Sequence, residues 1–195
     1  MNKMKAGLVA AAVLACFSGA ALAEGSFYSA VDIGQTTFVD ACDGVGAGET
    51  CSDTDTAFRG SVGYQVNPSL GLEASYGNYG ELKYSDGFVN ASYTASGFQF
   101  SAVGSLPVSD VFALTGKLGI ALTEGKVSAS APCAGCAISI SASNTTVAYG
   151  VGMRYNINKA VAVRAQYEDL GDIKVDSTDT GHKLTILSFG LISGF

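Results

Sequence analysis

Between residues 111 and 122 apolar residues alternate one for one with small or polar ones. Phe112, Leu114, Gly116, Leu118, Ile120 and Leu122 share one side, and Ala113, Thr115, Lys117, Gly119 and Ala121 share the other. Successive side chains of an extended strand point to opposite faces, whereas a helix would scatter these residues around its axis. A second segment repeats the pattern, with Val147, Tyr149, Val151, Met153 and Tyr155 opposite Ala148, Gly150, Gly152, Arg154 and Asn156. The same alternation predicts further strands near Phe27–Phe38, Thr56–Val66, Leu70–Tyr79, Tyr93–Leu106, Ala160–Glu168 and Leu184–Phe195. Eight strands result, each about ten residues long, the length a tilted strand needs to cross a bilayer.

Turn chemistry joins these strands in an alternating manner. Tight turns are predicted at Asn67, Pro68 and Ser69, at Pro107 to Asp110, and at Asn158 and Lys159, all rich in residues that favour turns. Longer segments, expected to be loops, lie near 39–55, 80–92, 123–144 and 169–183. Short turns at one end and long loops at the other, with both termini on the short side, describe an all-β, eight-stranded antiparallel up-and-down transmembrane β-barrel.

The polarity of the two faces sets the direction of the side chains. A water-soluble barrel keeps apolar residues inside and charges outside. Here the apolar face of each strand carries no charge, so it is assigned to lipid, and a sheet in lipid must close on itself to satisfy its backbone. Phe27, Tyr64, Phe112, Tyr155 and Phe195 near the turn ends and Tyr76, Tyr79 and Tyr167 near the loop ends are expected to form two aromatic girdles. The inward face carries Asp32, Arg59, Glu73, Lys117, Arg154, Arg164 and Glu168 together with Gln99 and Gln166. Eight strands leave an interior just wide enough for side chains, so these charges are expected to pair in an ion network. The open alternatives are a gated narrow pore and a proton-bearing site.

Composition and charge agree with this picture. Hydrophobic residues reach 48% and charged ones only 14%, yet no apolar run beyond the amino terminus is long enough for a spanning helix. Lys3 and Lys5 precede an apolar run from Ala6 to Phe17, followed by Ala21, Leu22 and Ala23. This pattern assigns residues 1–23 to a cleaved signal peptide and 24–195 to the barrel domain. A retained anchor and a lipoprotein cleaved before Cys16 are the weaker readings. Cleavage leaves nine basic against seventeen acidic residues, a net charge of −8, which argues against nucleic acid as a partner.

Three groups of residues invite a chemical reading. Cys42 and Cys51 fall in the first long segment and Cys133 and Cys136 in the third. In an exported chain four cysteines allow three pairings, of which pairing within each segment is favoured over a redox or metal site. Asp40, Asp43, Glu49, Asp53 and Asp55 form an acidic cluster without the full calcium-loop spacing, so a solvated acidic surface is expected. His182, the single histidine, stands six residues from Ser188, about 20 Å apart along a strand, too far for a catalytic pair. No catalytic residue, metal or other cofactor is therefore expected.

Three stretches resemble the OmpA-like and OmpX-like family of outer-membrane β-barrels: Tyr149 to Asn156, Val161 to Glu168, and the closing Leu187 to Phe195. The resemblance covers essentially the whole chain after the leader and implies an integral protein of a bacterial outer membrane, among lipid and lipopolysaccharide. It also implies that Phe189, Leu191 and Phe195 act as the signal read by the barrel-assembly machinery, with Ser193 departing from the usual apolar residue. The family's peptidoglycan-binding domain has no counterpart here, so a cell-wall tether is not expected. What the resemblance implies about function is a structural or surface-interaction role, with an external ligand at the loops. A narrow channel for ions or small solutes, and then a lipid A-modifying enzyme at the rim, are the alternatives.

Overall fold

The computed structural model describes residues 25–46, 48–130, 137–174 and 182–194. The expected leader, Cys133, Cys136 and Phe195 lie outside the described residues. Nine strands appear among them: β1 (Ser26–Val39), β2 (Thr50–Ser52), β3 (Thr54–Asn67), β4 (Leu70–Ser85), β5 (Asn90–Pro107), β6 (Phe112–Ser130), β7 (Ala137–Asn156), β8 (Val161–Ile173) and β9 (His182–Ser193). Eight of them pair antiparallel in the order β1, β3, β4, β5, β6, β7, β8, β9, and β9 returns to β1, so the sheet closes. The three-residue β2 adds to the outer end of β4, with Thr50 opposite Ser85.

Closure answers the physical demand of an apolar solvent, because every ladder group in the wall finds a neighbour. The apolar faces point outward, as Val31, Val62, Leu72, Leu118, Val151 and Leu191 show by their exposure. Tyr76 lies against Phe98 at 4.8 Å between ring centres on the loop side, and Phe27 against Tyr64 at 4.9 Å on the turn side.

The segments expected as long loops are in large part strand. β4 continues to Ser85 and β5 begins at Asn90, β6 continues to Ser130 and β7 begins at Ala137, and β8 runs to Ile173. The segment near 39–55 holds β2 and the start of β3. These continuations lengthen β4 to β7 well past the aromatic pair Tyr76–Phe98, so a sheet stands above the lipid belt. The reason is that period-two alternation does not stop at residue 122 or resume at 147; its polarity inverts. In β5 the apolar positions are Ala91, Tyr93 and Ala95 and then, without any register shift against β6, Phe98, Phe100 and Ala102. In β7 they are Ile138, Ile140 and Ala142 before Val147, Tyr149 and Val151. Below the switch the outward face meets lipid; above it, the outward face meets water and the apolar residues turn inward.

Tyr79 also departs from expectation. It is fully buried inside the barrel rather than in the girdle. Plain alternation turns it inward, on the parity of Glu73, Ser75 and Gly77 and opposite Tyr76; a bulge between Asn78 and Glu81 then follows, where Gly80 supplies the left-handed backbone at φ 82° that a side chain would resist. A matching bulge between Asp169 and Asp172 carries Gly171, also at φ 82°; Leu170 keeps the inward parity of Arg164, Gln166 and Glu168, and the bulge brings Ile173 inward beyond it. A carboxylate satisfies each bulge: Asp55 accepts from the Glu81 amide at 2.7 Å and Asp169 from the Gly171 amide at 2.9 Å.

Candidate functional site

At mid-height the inward alternation of β1, β3, β4, β6 and β8 brings six ionised side chains together. Arg59 reaches Asp32 at 3.3 Å and Glu168 at 2.6 Å, and Lys117 reaches Glu168 at 3.2 Å and Glu73 at 2.8 Å. Arg164 then joins Glu73 and Asp32, each at 2.6 Å. The pairs close into a ring, Asp32, Arg59, Glu168, Lys117, Glu73, Arg164 and back to Asp32, in which signs alternate and every charge has two opposite neighbours. Side-chain exposure within the ring does not exceed 4%.

Charges withdrawn from water this far need both neutrality and hydrogen bonds, and the neutral side chains around the ring supply the latter. Gln99 donates to Glu168 at 3.0 Å and Gln166 accepts from Arg59 at 2.9 Å. Ser61 accepts from Arg164 at 3.1 Å, Ser188 accepts from Arg59 at 3.4 Å, and the Tyr28 hydroxyl donates to Glu73 at 3.0 Å.

Of the seven charges assigned to the interior, Arg154 stands apart. It is half-buried one layer toward the short turns and shares a small cleft with Tyr28, Gln65 and Thr115. Three acids therefore meet three bases in the ring, rather than four.

Above the ring the lumen is apolar, a layer that residue types alone did not reveal. Phe38, Tyr79, Leu170, Ile173, Leu184 and Ile186 form a buried cluster across the outer half of the barrel. Ile173 arrives through the second bulge, which no alternation rule anticipates, and Leu170 and Ile173 fell in a segment expected to be loop. Below the ring, Tyr28, Ala30, Ala162 and Ile192 fill the turn side. The interior is thus stacked as apolar cap, ion ring and mixed base.

His182 lies over the cap, beside an apolar cavity of about 190 Å³ walled by Phe38, Leu82, Tyr93, Val127 and Ile173. Ser188 is buried at the ring, so the two do not meet.

The sheet above the belt is built from cross-strand rows whose side chains share the outward face. Asn78, Ser96, Glu124 and Ser143 form the first row above the aromatic pair, and Glu81, Thr94, Lys126 and Ser141 the next. Ser52, Lys83, Ser92, Ser128 and Ser139 follow, then Thr50, Ser85, Asn90 and Ser130. At this outer end a cavity of about 670 Å³ is lined from both faces of the sheet, by Ser52, Ser92 and Ser128 from the outward one and by Cys51, Tyr84 and Ile138 from the other. The inversion of polarity within 90–102, 112–130 and 138–151 is the sequence signal that locates this sheet.

A hydrogen-bonded pair and a disulfide fix the edges of this sheet. The Asn144 amide group donates to the Lys174 carbonyl at 2.9 Å and accepts from its N–H at 3.0 Å, extending the β7–β8 seam with a side chain. Cys42 and Cys51 form a disulfide with Cα atoms 5.7 Å apart, which ties β2 to the end of β1. At the tip between β4 and β5 the Asp86 carboxylate accepts from the amides of Phe88 and Val89 at 2.8 and 2.7 Å. Those two donors hold its pKa below the ordinary carboxylate value.

The acidic residues of the first loop do not converge: among the described residues no three of the His, Cys, Asp and Glu side chains gather as a metal site. Phe189 and Leu191 lie on the outward wall of β9, exposed to lipid.

Comparison with known proteins follows the same architecture. The family model for the outer membrane protein beta-barrel domain matches residues 9–193. Outer membrane protein A of Serratia marcescens is 27% identical over 192 residues, covering 94% of this chain and 53% of that protein. Outer membrane protein P5 of Haemophilus influenzae is 30% identical over 173 residues, covering 84% of this chain and 48% of that protein. The chain spans about half the length of these two relatives. In fold it is similar to Ail, the attachment invasion locus protein of Yersinia pestis, with a TM-score of 0.53 at 20% identity, over 88% of this chain and 99% of that one. Ail has also been solved in complex with the heparin analogue sucrose octasulfate; that structure matches with a TM-score of 0.52 at 18% identity, over 88% of this chain and 99% of that one.

Proposed function

The chain belongs to the outer membrane protein β-barrel domain family, and from that premise we propose that it is a plugged pedestal whose work is done by its outer surface. The observation that carries this reading is the closed ring of alternating charges beneath a buried apolar cap. An ion crossing the lumen would have to part charges that are already paired and then traverse a layer built mainly of apolar side chains. The same stacking stiffens the wall, so the strands that rise above the belt are held on a rigid base.

The leader at residues 1–23 fits removal during export, and Phe189, Leu191 and Phe195 fit the role of assembly signal. The sulfated ligand of Ail is not carried over to this chain. The outward rows hold two lysines against two glutamates, and the first loop has five acids, so a polyanion would find no surplus of positive charge.

Purified protein inserted in planar lipid bilayers tests the reading. The expected result is the absence of steady single-channel current at neutral pH. In parallel, the tip Asp86–Val89 and the loop 40–49 are exchanged for short Asn-Gly turns, and adherence of expressing cells to epithelial monolayers is compared with that of cells bearing the intact chain. Adherence should fall to the level of cells without the protein. Sustained conductance that changes when Lys117 is neutralised would replace this reading with the channel.

A further inference from the structure

We propose that the cavity over the apolar cap is a binding site for one uncharged aromatic ring that carries a hydroxyl, a small phenol arriving from the external medium. The site is separate from the tips that the pedestal reading invokes.

Strand register builds the walls. Leu82, Tyr93 and Val127 stand side by side in one cross-strand row of β4, β5 and β6. Phe38 from the end of β1 and Ile173 from the end of β8 close the other side, and the cross-strand partner of Ile173 on β9 is His182. Together they enclose about 190 Å³. Phe38 and Ile173 are buried, the row of three is partly buried and His182 is exposed, so the cavity has an apolar floor and a mouth at the outer end. The cap lies beneath that floor, which leaves the pocket one opening.

Size and shape select a ring. A cavity of about 150 Å³ walled by Leu, Ile and Phe is large enough to hold benzene, and the space here takes the same ring with a small substituent. The Phe38 and Tyr93 rings meet edge to face, with 5.7 Å between centres and 87° between planes. A flat guest can stack on one and stand edge-on to the other, the two contacts that aromatic rings prefer. A flexible alkyl chain gains neither and loses rotational freedom on entry.

Polarity narrows the choice further. The His182 imidazole at the mouth supplies an N–H that a phenolic oxygen accepts while the ring rests on the floor. Five acids of the first loop follow Phe38 closely in the chain and oppose an anionic ring such as benzoate. The residues between Lys174 and His182 are Val, Asp, Ser, Thr, Asp, Thr and Gly, so that stretch brings no ring of its own.

The test uses the whole protein in nanodiscs, with ¹³C-labelled Ile, Leu and Val methyl groups, titrated with 4-methylphenol. Ligand dissolved in the lipid also reaches outward methyls but does not saturate them, so the two kinds of position are read together. The methyls of Leu82, Val127 and Ile173 should shift along a saturating curve with its midpoint at about 1 mM or below. Those of Leu118 and Val151, exposed on the lipid-facing wall, should follow the ligand linearly. Ala91 also lines the cavity, and Ala91→Phe fills it with a ring of the chain's own. That variant should lose the saturating shifts while its unboiled gel mobility shows the barrel intact. His182→Ala should weaken 4-methylphenol about five- to ten-fold and leave toluene unchanged, as the loss of one hydrogen bond requires.

Shifts at Leu82, Val127 and Ile173 that stay linear overturn the proposal, as does a saturating shift that survives Ala91→Phe. Hexanol or benzoate binding as tightly as 4-methylphenol also overturns it, because the site would then not select a neutral ring. The planar-bilayer and adherence experiments read conductance and the tips, so failure of one proposal leaves the other standing.

Discussion

Arg164 shows what a single side chain decides in this barrel. It touches Asp32, Glu73 and Ser61, and its removal leaves two carboxylates in the lumen with one partner fewer each. Breaking a buried pair in this way costs about 3–5 kcal/mol. Arg164→Leu is therefore expected to lower resistance to urea by that amount, followed by the shift between folded and unfolded gel mobility in liposomes. Lys117→Met and Glu73→Leu combined remove one charge of each sign and keep the remaining four balanced. The double variant should be more stable than the sum of the two singles by at least about 1 kcal/mol. An additive result would mean that the ring holds no coupling.

The charges themselves were legible along the chain, because Asp32, Arg59, Glu73, Lys117, Arg164 and Glu168 all fall on the inward parity of their strands. Their order around the ring was not, since it depends on how far each side chain reaches across the lumen. Arg154 has the same parity and a different place, one layer lower beside Tyr28.

At the scale of strands and turns, alternation located all eight barrel strands but cut β4 to β7 short at their loop ends. The cause is physical: one face of a membrane strand changes solvent at the lipid boundary, and the pattern then reads as broken when it is only inverted. Tyr79 and Ile173 depart from expectation for other reasons. Tyr79 stands three residues from Tyr76, so alternation itself puts the two on opposite faces and only Tyr76 can join the girdle; at Ile173 a bulge has added a residue and exchanged the faces, and only Gly171 hints at it in the sequence.

The tip at Asp86 gives this scale its prediction. Because two amides hold its carboxyl below the ordinary value of 3.8, the charged form is favoured in the folded turn. The ordering it supplies is complete above the unfolded value and disappears as pH falls through the lower folded one. Amide exchange at Phe88 and Val89 should thus be flat with respect to this group from neutral pH down to about pH 4, once the intrinsic pH dependence is removed, and rise only in stronger acid. Asp86→Ala should exchange fast throughout. A transition near neutral pH would rule out this assignment.

For the molecule as a whole, closure and orientation are the claims to test. Unboiled protein in detergent gels should migrate differently from boiled protein, since a closed barrel resists unfolding. Protease added to intact cells should cut within 40–49 and near Gly87, and should spare the turns at 67–69, 107–111 and 156–160. Cutting in those turns would place the short side outside and invert the topology.

The sequence by itself determined the strand number, the closed barrel, the lipid-facing side and the set of inward charges. All of these follow from a period of two read against one solvent, which is local information carried by each strand alone. Only the tertiary structure decided that the charges close into a ring, that an apolar cap lies over them, and that four strands climb beyond the membrane. Those features depend on which residues of different strands stand at the same height, and height is fixed by register and bulges. A chain read one strand at a time carries no measure of either.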